Sequence, residues 1–232
     1  PTTTVTSGLG VTQKLVTAAV AFGDLMQGTF GPQGLDKMLY KTNGQTAVTN
    51  DGAKIVAELL VKHPAAKAFV QLAEAQEQAC GDGVTGCLLF ASELMREAGR
   101  LLGRGLHPLV LINGYQEALL HALEYLEKNT TPCSSDPNRL SMVAKTAMNG
   151  TSADVEGTFL ADLVVEALSI VQEGPSVDYE DVRMAKRTQG SLSDTRLVKG
   201  LILEKALQLD RLPRQLNGGT LLALTCPLDQ ED

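Results

Sequence analysis

The stretch Cys80-Gly81-Asp82-Gly83-Val84-Thr85-Gly86 separates two long helical periodicities. On its N-terminal side Ala65, Ala68, Phe69, Leu72, Ala73, Gln76 and Ala79 recur at spacings of three and four. They follow a His63-Pro64 pair that puts proline at the favoured first helical position. Most of these side chains are small, so a neighbouring helix can approach closely. On the C-terminal side a strongly apolar helix is predicted over 84–102, stopped by Gly103 and Gly105. Glycines at the junction let backbone come close to a ligand and expose successive N–H groups. The unpaired N–H groups of a helix start also favour an anion. Thr85 adds a hydroxyl for a phosphate oxygen, and Asp82 adds a carboxylate for Mg²⁺, a cation that prefers carboxylate, phosphate and water oxygens.

Upstream, a helix is predicted over 11–26, because Val11, Leu15, Ala18, Ala19, Phe22 and Met26 form one stripe. Thr29-Phe30-Gly31-Pro32-Gln33-Gly34 breaks it. Extended segments at 37–40 and 46–49 flank Asn43-Gly44, a hairpin turn pair, and Asn50-Asp51-Gly52 opens a short helix over 52–60. Downstream, His107-Pro108 opens a helix carrying Ile112, Tyr115, Leu119, Ala122, Leu123 and Leu126 on one side. The turn-rich stretch 129–137 is the first predicted domain boundary. Helices over 138–148 and 155–172 follow, the second striped by Phe159, Leu160, Leu163, Val164, Ala167, Leu168 and Val171. Beyond Pro175 the period changes, and strands are predicted over 183–188, 195–205 and 220–225. The fold class is therefore mainly α with a smaller β part. The chain starts at Pro1 rather than Met and stops soon after a predicted strand, so it is expected to be a trimmed piece of a longer protein.

Composition narrows the function classes. Twenty basic against 27 acidic residues give a net charge of −7, which argues against a basic face that neutralises nucleic-acid phosphates. Aromatics at 4% with no Trp leave few stacking platforms for bases. Four cysteines without a C-x-x-C pair fit free thiols in a reducing compartment. Three histidines, none at i, i+4, do not suggest a zinc enzyme. No apolar run approaches a membrane span and the N-terminus is no signal peptide, so the expected address is the cytoplasm.

Three glycine-bearing turns thus carry the candidate chemistry: 29–34, 50–52 and 81–86. Each has a plainer reading as turn chemistry, and an Asp just before a helix, such as Asp51 or Asp82, is ordinarily an N-cap. The chain has neither a G-x-x-x-x-G-K-[ST] loop nor a G-x-G-x-x-G signature, so any nucleotide is held by another scheme. His63 and His107 read as helix-start residues, His121 as solvated, and Ser92 as a helix-interior residue without a catalytic partner. Cys80 and Cys87 flank the glycine turn; a low-pKa thiol at a helix start is one reading, and an inert buried thiol the plainer one.

Taken in order, Thr29-Phe30-Gly31-Pro32-Gln33-Gly34-Leu35-Asp36-Lys37-Met38, Val48-Thr49-Asn50-Asp51-Gly52-Ala53, His63-Pro64-Ala65-Ala66-Lys67 and Gly81-Asp82-Gly83-Val84-Thr85 resemble the ATP-site signatures of group II-type chaperonins, the archaeal and eukaryotic cytosolic family with its bacterial branch. The segment 197–205 is similar to the strand leading into that family's apical domain. The resemblance implies a chaperonin-like equatorial helical domain, half of it in residues 1–134. It further implies part of an intermediate α/β hinge domain in 135–198 and the start of an apical β domain in 199–232. It also implies ATP and Mg²⁺ as cofactors, with Thr29, Phe30, Gly31, Pro32, Asn50, Asp51, Gly52, Gly83, Val84, Thr85 and Gly86 around the nucleotide. Asp82 would hold the metal, and Asp51 would position the attacking water as the catalytic residue. The implied partners are identical or homologous subunits in a double ring, and unfolded or partly folded client proteins, with no nucleic acid and no membrane.

A second catalytic carboxylate in that family comes from a returning segment that these 232 residues do not include. The chain alone is therefore expected to bind ATP weakly and hydrolyse it negligibly. Three positions depart from the family pattern. Gln33 stands where lysine is common, and Gly150-Thr151-Ser152 stands where the resemblance implies a Gly-Lys-Gly loop whose lysine senses the γ-phosphate; Val84 replaces one of two threonines, a lost donor worth about 1–2 kcal/mol of phosphate contact. They motivate an alternative, a chaperonin-like scaffold or assembly protein with a weakened or lost ATPase cycle. A small-molecule phosphotransferase has no acceptor site to support it.

Overall fold

A computed structural model describes residues 8–40, 44, 46–59, 61, 63–133, 136–151, 153–202, 213–220, 222–223 and 225. Seven α-helices, one hairpin and three short 3-10 turns (Asp154–Glu156, Tyr179–Asp181 and Leu192–Asp194) make up the regular structure among them: α1 (Leu9–Gln27), β1 (Lys37–Tyr40), β2 (Thr46–Thr49), α2 (Gly52–Glu58), α3 (Pro64–Cys80), α4 (Val84–Gly103), α5 (Pro108–Asn129), α6 (Pro137–Met148) and α7 (Gly157–Val171). These bounds lie within a few residues of the periodicity-based expectations for the helices and coincide with them for the two strands.

The core forms where the small-residue stripes let α1, α3 and α4 pack together, with α2 wedged beside them. Ala19, Phe22 and Met26 from α1 meet Ile55 and Val56 from α2, Ala66, Phe69 and Ala73 from α3, and Val84 and Leu88 from α4. The Phe22 and Phe69 rings lie 5.6 Å apart at a tilt of 39°, an arrangement that adds about 0.5–1.5 kcal/mol beyond area burial. Met26, Ile55 and Leu88 are fully enclosed, each contributing about 1.5–3 kcal/mol by leaving water. Helices α1 and α4 touch closely: a Cβ on Gly23 would overlap Ser92 Oγ, and one on Gly99 would come within 2.7 Å of Val16 Cγ1. On the rim of this contact Arg96 reaches Asp24 at 2.8 Å and Glu93 at 3.1 Å.

The hairpin pairs antiparallel in the register Lys37↔Thr49, Met38↔Val48, Leu39↔Ala47 and Tyr40↔Thr46. Gly44 takes φ 82°, as the predicted turn requires, while positions 41–43 and 45 lie outside the described residues. Helices α6 and α7 pack as a pair, with Ser141 Oγ donating to Asp162 Oδ1 (2.5 Å) and Lys145 Nζ to Thr158 Oγ1 (2.8 Å) above the buried Ala161.

One expectation is corrected. The predicted strand over 183–188 carries no strand, nor do residues 195–202 of the one predicted over 195–205 or residues 220, 222–223 and 225 of the one predicted over 220–225; positions 203–205, 221 and 224 lie outside the described residues. A strand exists only as half of a hydrogen-bonded ladder, and no second strand lies beside these segments among the described residues. The apolar stripe of α5 exists as a pattern but not as a buried face, since Ile112, Leu119, Leu123 and Leu126 are all exposed. Only Leu111 of this helix is buried, and Tyr115 Oη donates to the Leu94 carbonyl at 2.6 Å. Periodicity marks which residues share a face; burial needs a surface opposite it.

Candidate functional site

The close approach of α2 to α4 builds the site. Both helices begin at the same place, and a Cβ on Gly52, the first residue of α2, would overlap Thr85 Oγ1 and lie 3.0 Å from the Thr85 nitrogen. The two Asp-Gly turns, far apart in sequence, thereby face one cleft of about 570 Å³. Thr29, Phe30, Gly31 and Pro32 line it from the end of α1, Asn50, Asp51 and Gly52 from the start of α2, and Asp82, Gly83, Val84, Thr85 and Gly86 from the start of α4. All twelve residues singled out in the sequence as nucleotide- or metal-facing therefore border the same space.

Local geometry distinguishes their offerings. Asp51 does act as the N-cap of α2, its Oδ1 accepting from Ala53 N at 3.0 Å, while its own N–H donates to Thr49 Oγ1 at 3.1 Å. The cap uses one carboxylate oxygen and leaves Oδ2 without a partner among the described residues. Asp82 is not a cap. The N-cap of α4 is Gly83, left-handed at φ 79° and without a side-chain cap, so the first-turn amides of α4 are open to an anion. Asp82 Oδ1 instead accepts from Gly83 N at 2.7 Å, and its carbonyl accepts from Gln76 Nε2 at 2.9 Å, which pins the turn to α3.

Other side chains are committed elsewhere. The Thr29 hydroxyl is buried and donates to the Met26 carbonyl at 2.8 Å, closing α1, so that residue offers the cleft little beyond its backbone. The Val84 side chain is buried in the core, leaving its amide at the cleft. Phe30 is exposed, and its ring edge lies 3.4 Å from where a Cβ on Gly86 would stand. The segment 63–67 is not in the cleft; it starts α3, and Ala66 packs in the core. His107 caps α5, its Nδ1 accepting from Leu109 N at 3.2 Å. Ser92 is fully buried with its hydroxyl unpartnered. Burial, and secondarily the neighbouring Cys80, pushes the Cys87 thiol above its ordinary pKa, the opposite of an activated nucleophile.

The cleft has further walls: Gly81 belongs to the third glycine turn and Gly150 and Thr151 to the loop singled out by the resemblance, whereas Glu77, Thr146, Ala147 and Asn149 were not foreseen. Glu77 and Gly81 from the α3 end line it, as do Thr146, Ala147, Asn149, Gly150 and Thr151 from the end of α6. Glu77 carried a local signal, one helical turn before Gly81, whose N–H donates to its carbonyl at 2.8 Å. By local pattern the α6 segment shows only an Asn-Gly helix end, ordinary C-terminal punctuation, and it is the resemblance that marks Gly150-Thr151-Ser152. Asn50 Nδ2 spans the gap, donating to the Gly150 carbonyl at 3.0 Å. The Thr151 hydroxyl donates to the Met148 carbonyl at 2.6 Å and accepts from Ala153 N at 3.2 Å.

Electrostatically, three carboxylates (Asp51, Glu77, Asp82) border the cleft, and none of its described lining residues is Lys or Arg. Among the described residues no three carboxylate, thiol or imidazole groups converge into a protein-only metal cage. This donor set fits Mg²⁺, which is typically held by one or two carboxylates with the remaining positions filled by phosphate oxygens and water. No helix among the described residues is long and apolar enough to cross a membrane.

Comparison with known proteins agrees with this architecture. The model of the TCP-1/cpn60 chaperonin family matches residues 22–232. The chain is 37% identical over 221 residues to a thermosome subunit beta of Aeropyrum pernix, covering 93% of this chain and 40% of that protein. It is 36% identical over 222 residues to a thermosome subunit of Methanopyrus kandleri (94% and 41%), and 36% identical over 210 residues to a thermosome subunit alpha of Thermoplasma acidophilum (89% and 38%). The chain thus spans about two-fifths of the length of the curated relatives it matches. With the glycine turns gathered at one cleft and the match running from α1 to the last residue, the chain belongs to the TCP-1/cpn60 chaperonin family.

Proposed function

We propose that this chain is the ATP-binding portion of a subunit of an ATP-driven, double-ring protein-folding chamber in the cytoplasm. The observation that carries the reading is the convergence of Asp51, Asp82 and the uncapped start of α4 on one cleft. A triphosphate entering a cleft with three carboxylates and no Lys or Arg among its described lining residues would be repelled unless a divalent cation accompanied it. Asp82 would hold that Mg²⁺, which supplies charge neutralisation at the phosphates. The amides of Val84, Thr85 and Gly86 and the Thr85 hydroxyl would receive phosphate oxygens. Asn50 and Gly52 bring that turn against them, and Thr29, Phe30, Gly31 and Pro32 would cover the nucleotide. The Asp51 oxygen not used in capping would orient the attacking water.

On this reading residues 1–134 are half of an equatorial ATPase domain, 135–198 the first part of an intermediate hinge, and 199–232 the beginning of an apical domain. Partner subunits would complete the ring, and non-native proteins would be its clients, enclosed as the hinge moves with nucleotide state. The test is titration calorimetry of MgADP and MgATP on the 232-residue chain, with turnover measured in parallel. Weak binding that requires Mg²⁺, a drop of tenfold or more in Asp82→Asn, and negligible turnover are expected. Robust hydrolysis by this chain alone, or nucleotide binding indifferent to both Mg²⁺ and Asp82, would refute the assignment of roles.

One observation favours a second reading, a scaffold with a weakened cycle. Val84 brings no hydroxyl and is buried, and the Thr151 hydroxyl is engaged within its own loop. Intact rings without Mg²⁺-dependent turnover would support the scaffold.

A further inference from the structure

The hydrogen bond between Asn50 and Gly150 joins residues one hundred positions apart. Asn50 is half-buried, immediately before the Asp51 cap of α2, and its amide nitrogen donates to the Gly150 carbonyl at 3.0 Å. Gly150 is held from its other side as well. Its N–H donates to Asp154 Oδ2 at 3.3 Å, and its left-handed φ of 77° turns the chain sharply after α6. A Cβ built on Gly150 would stand 3.9 Å from the Gly31 carbonyl, so the loop also abuts the 29–32 wall. Asp154 in turn leads directly into α7, where its Oδ1 lies 3.5 Å from a Cβ placed on Gly157. One short relay therefore runs from the Asp51 turn, across the cleft through Asn50 and the Gly150 peptide, to the head of α7. The Ser141–Asp162 and Lys145–Thr158 bonds join α6 to α7 beyond this loop.

We propose that Asn50 is a positioning residue rather than a ligand contact: its amide ties the Gly150 wall across the cleft and couples cleft occupancy to the placement of the α6–α7 pair. This deepens the ATP reading and rests on it. The side chain is suited to the task because only its N–H₂ is used; its donor reaches a backbone carbonyl that no change of residue type at position 150 can remove. A ligand that presses the 29–32 and 81–86 walls together shortens and protects the relay; one that wedges the cleft open breaks it at Asn50. Gly150 N–H, whose acceptor is Asp154, is the natural reporter.

The experiment compares the 232-residue chain with Asn50→Asp, which keeps the shape but loses the donor, and with Asp154→Ala, which cuts the relay at its far end. Amide exchange at Gly150, Thr151 and Asp154 is followed by NMR, without ligand and with saturating MgADP. Thermal unfolding shows that each variant is folded. In the parent, MgADP should slow exchange at these three amides. In Asn50→Asp they should exchange roughly two- to tenfold faster without ligand, the range one hydrogen bond supplies. The MgADP-induced protection should be lost there, while protection at Val84–Gly86 persists. Asp154→Ala should release Gly150 but leave the 29–32, 50–52 and 81–86 walls unchanged. Protection of Gly150 by MgADP in Asn50→Asp equal to that in the parent would overturn the proposal, as would a parent that binds MgADP with no change at Gly150. A parent that takes up no MgADP at all removes the ATP reading and the coupling with it. Unaltered ligand-free exchange in Asn50→Asp separately disproves the tie.

Discussion

Replacing Gly52 by Ala puts the geometry of the cleft under direct test. Glycine-to-alanine changes inside helices ordinarily stabilise by up to about 1 kcal/mol, because they reduce the freedom of the unfolded chain. Gly114, in the middle of α5 with nothing within 4 Å of a built Cβ, is where that gain should appear. Gly52 is buried, and the same methyl there would overlap Thr85 Oγ1 and stand 3.0 Å from the Thr85 nitrogen and 3.2 Å from Met26 Cε. Met26 can yield, since its side chain is flexible. Thr85 cannot yield cheaply: its hydroxyl is one bond from a stiff β-branched centre, and its nitrogen belongs to the first turn of α4. Overpacking of this kind costs about 1–3 kcal/mol. Set against a propensity gain that is small at a first helical position, the net loss should be about 1–2 kcal/mol. For a chain of this size that corresponds to a Tm lowered by roughly 2–8 °C. Circular dichroism melts of the parent, Gly52→Ala and Gly114→Ala should show the first variant falling and the second rising. A Gly52→Ala chain at least as stable as the parent would mean that α2 and α4 do not abut as described, and the shared cleft would go with that contact.

Further outcomes follow from the same geometry. Asp51→Ala should lower stability by about 1 kcal/mol through loss of the α2 cap, whereas Asp51→Asn, whose oxygen still accepts from Ala53 N, should melt near the parent; hydrolysis by the assembled ring should fail in both. Ser92→Ala removes a buried, unpartnered hydroxyl and substitutes a better helix former, so urea unfolding should show a chain equally stable or up to about 1 kcal/mol more stable. At pH 8, iodoacetamide should label the exposed Cys80 well before Cys87, as peptide mass spectrometry would show. The raised Cys87 pKa means that the folded state binds that proton more tightly. Its stabilising contribution is therefore complete below the ordinary thiol range and is lost as alkaline pH rises from that range through the folded value; Cys87→Ala should flatten this alkaline decline.

The helices, the hairpin and their bounds were legible in sequence because each is set by local rules: small and apolar residues every three or four positions, proline at a first turn, Asn43-Gly44 between alternating strands. The three glycine turns were legible for the same reason, as was the doubled identity of Asp51 as cap and candidate site residue. Tertiary structure alone decided which of these features meet. That α2 and α4 start at one point depends on a missing Cβ at Gly52 and on the Thr85 backbone facing it, a relation between positions thirty-three apart that no periodicity encodes. The Gly150 wall, a hundred residues from Asn50, is more distant still; its local pattern is only a helix end, and the family resemblance rather than periodicity marked the 150–152 loop. The same distinction explains the misread strands and the exposed α5 stripe. The α5 stripe and the extended segments past Pro175 have the right patterns, yet a stripe is buried only by an opposing surface and a strand exists only beside another, so pattern proposes a face and neighbours decide its fate.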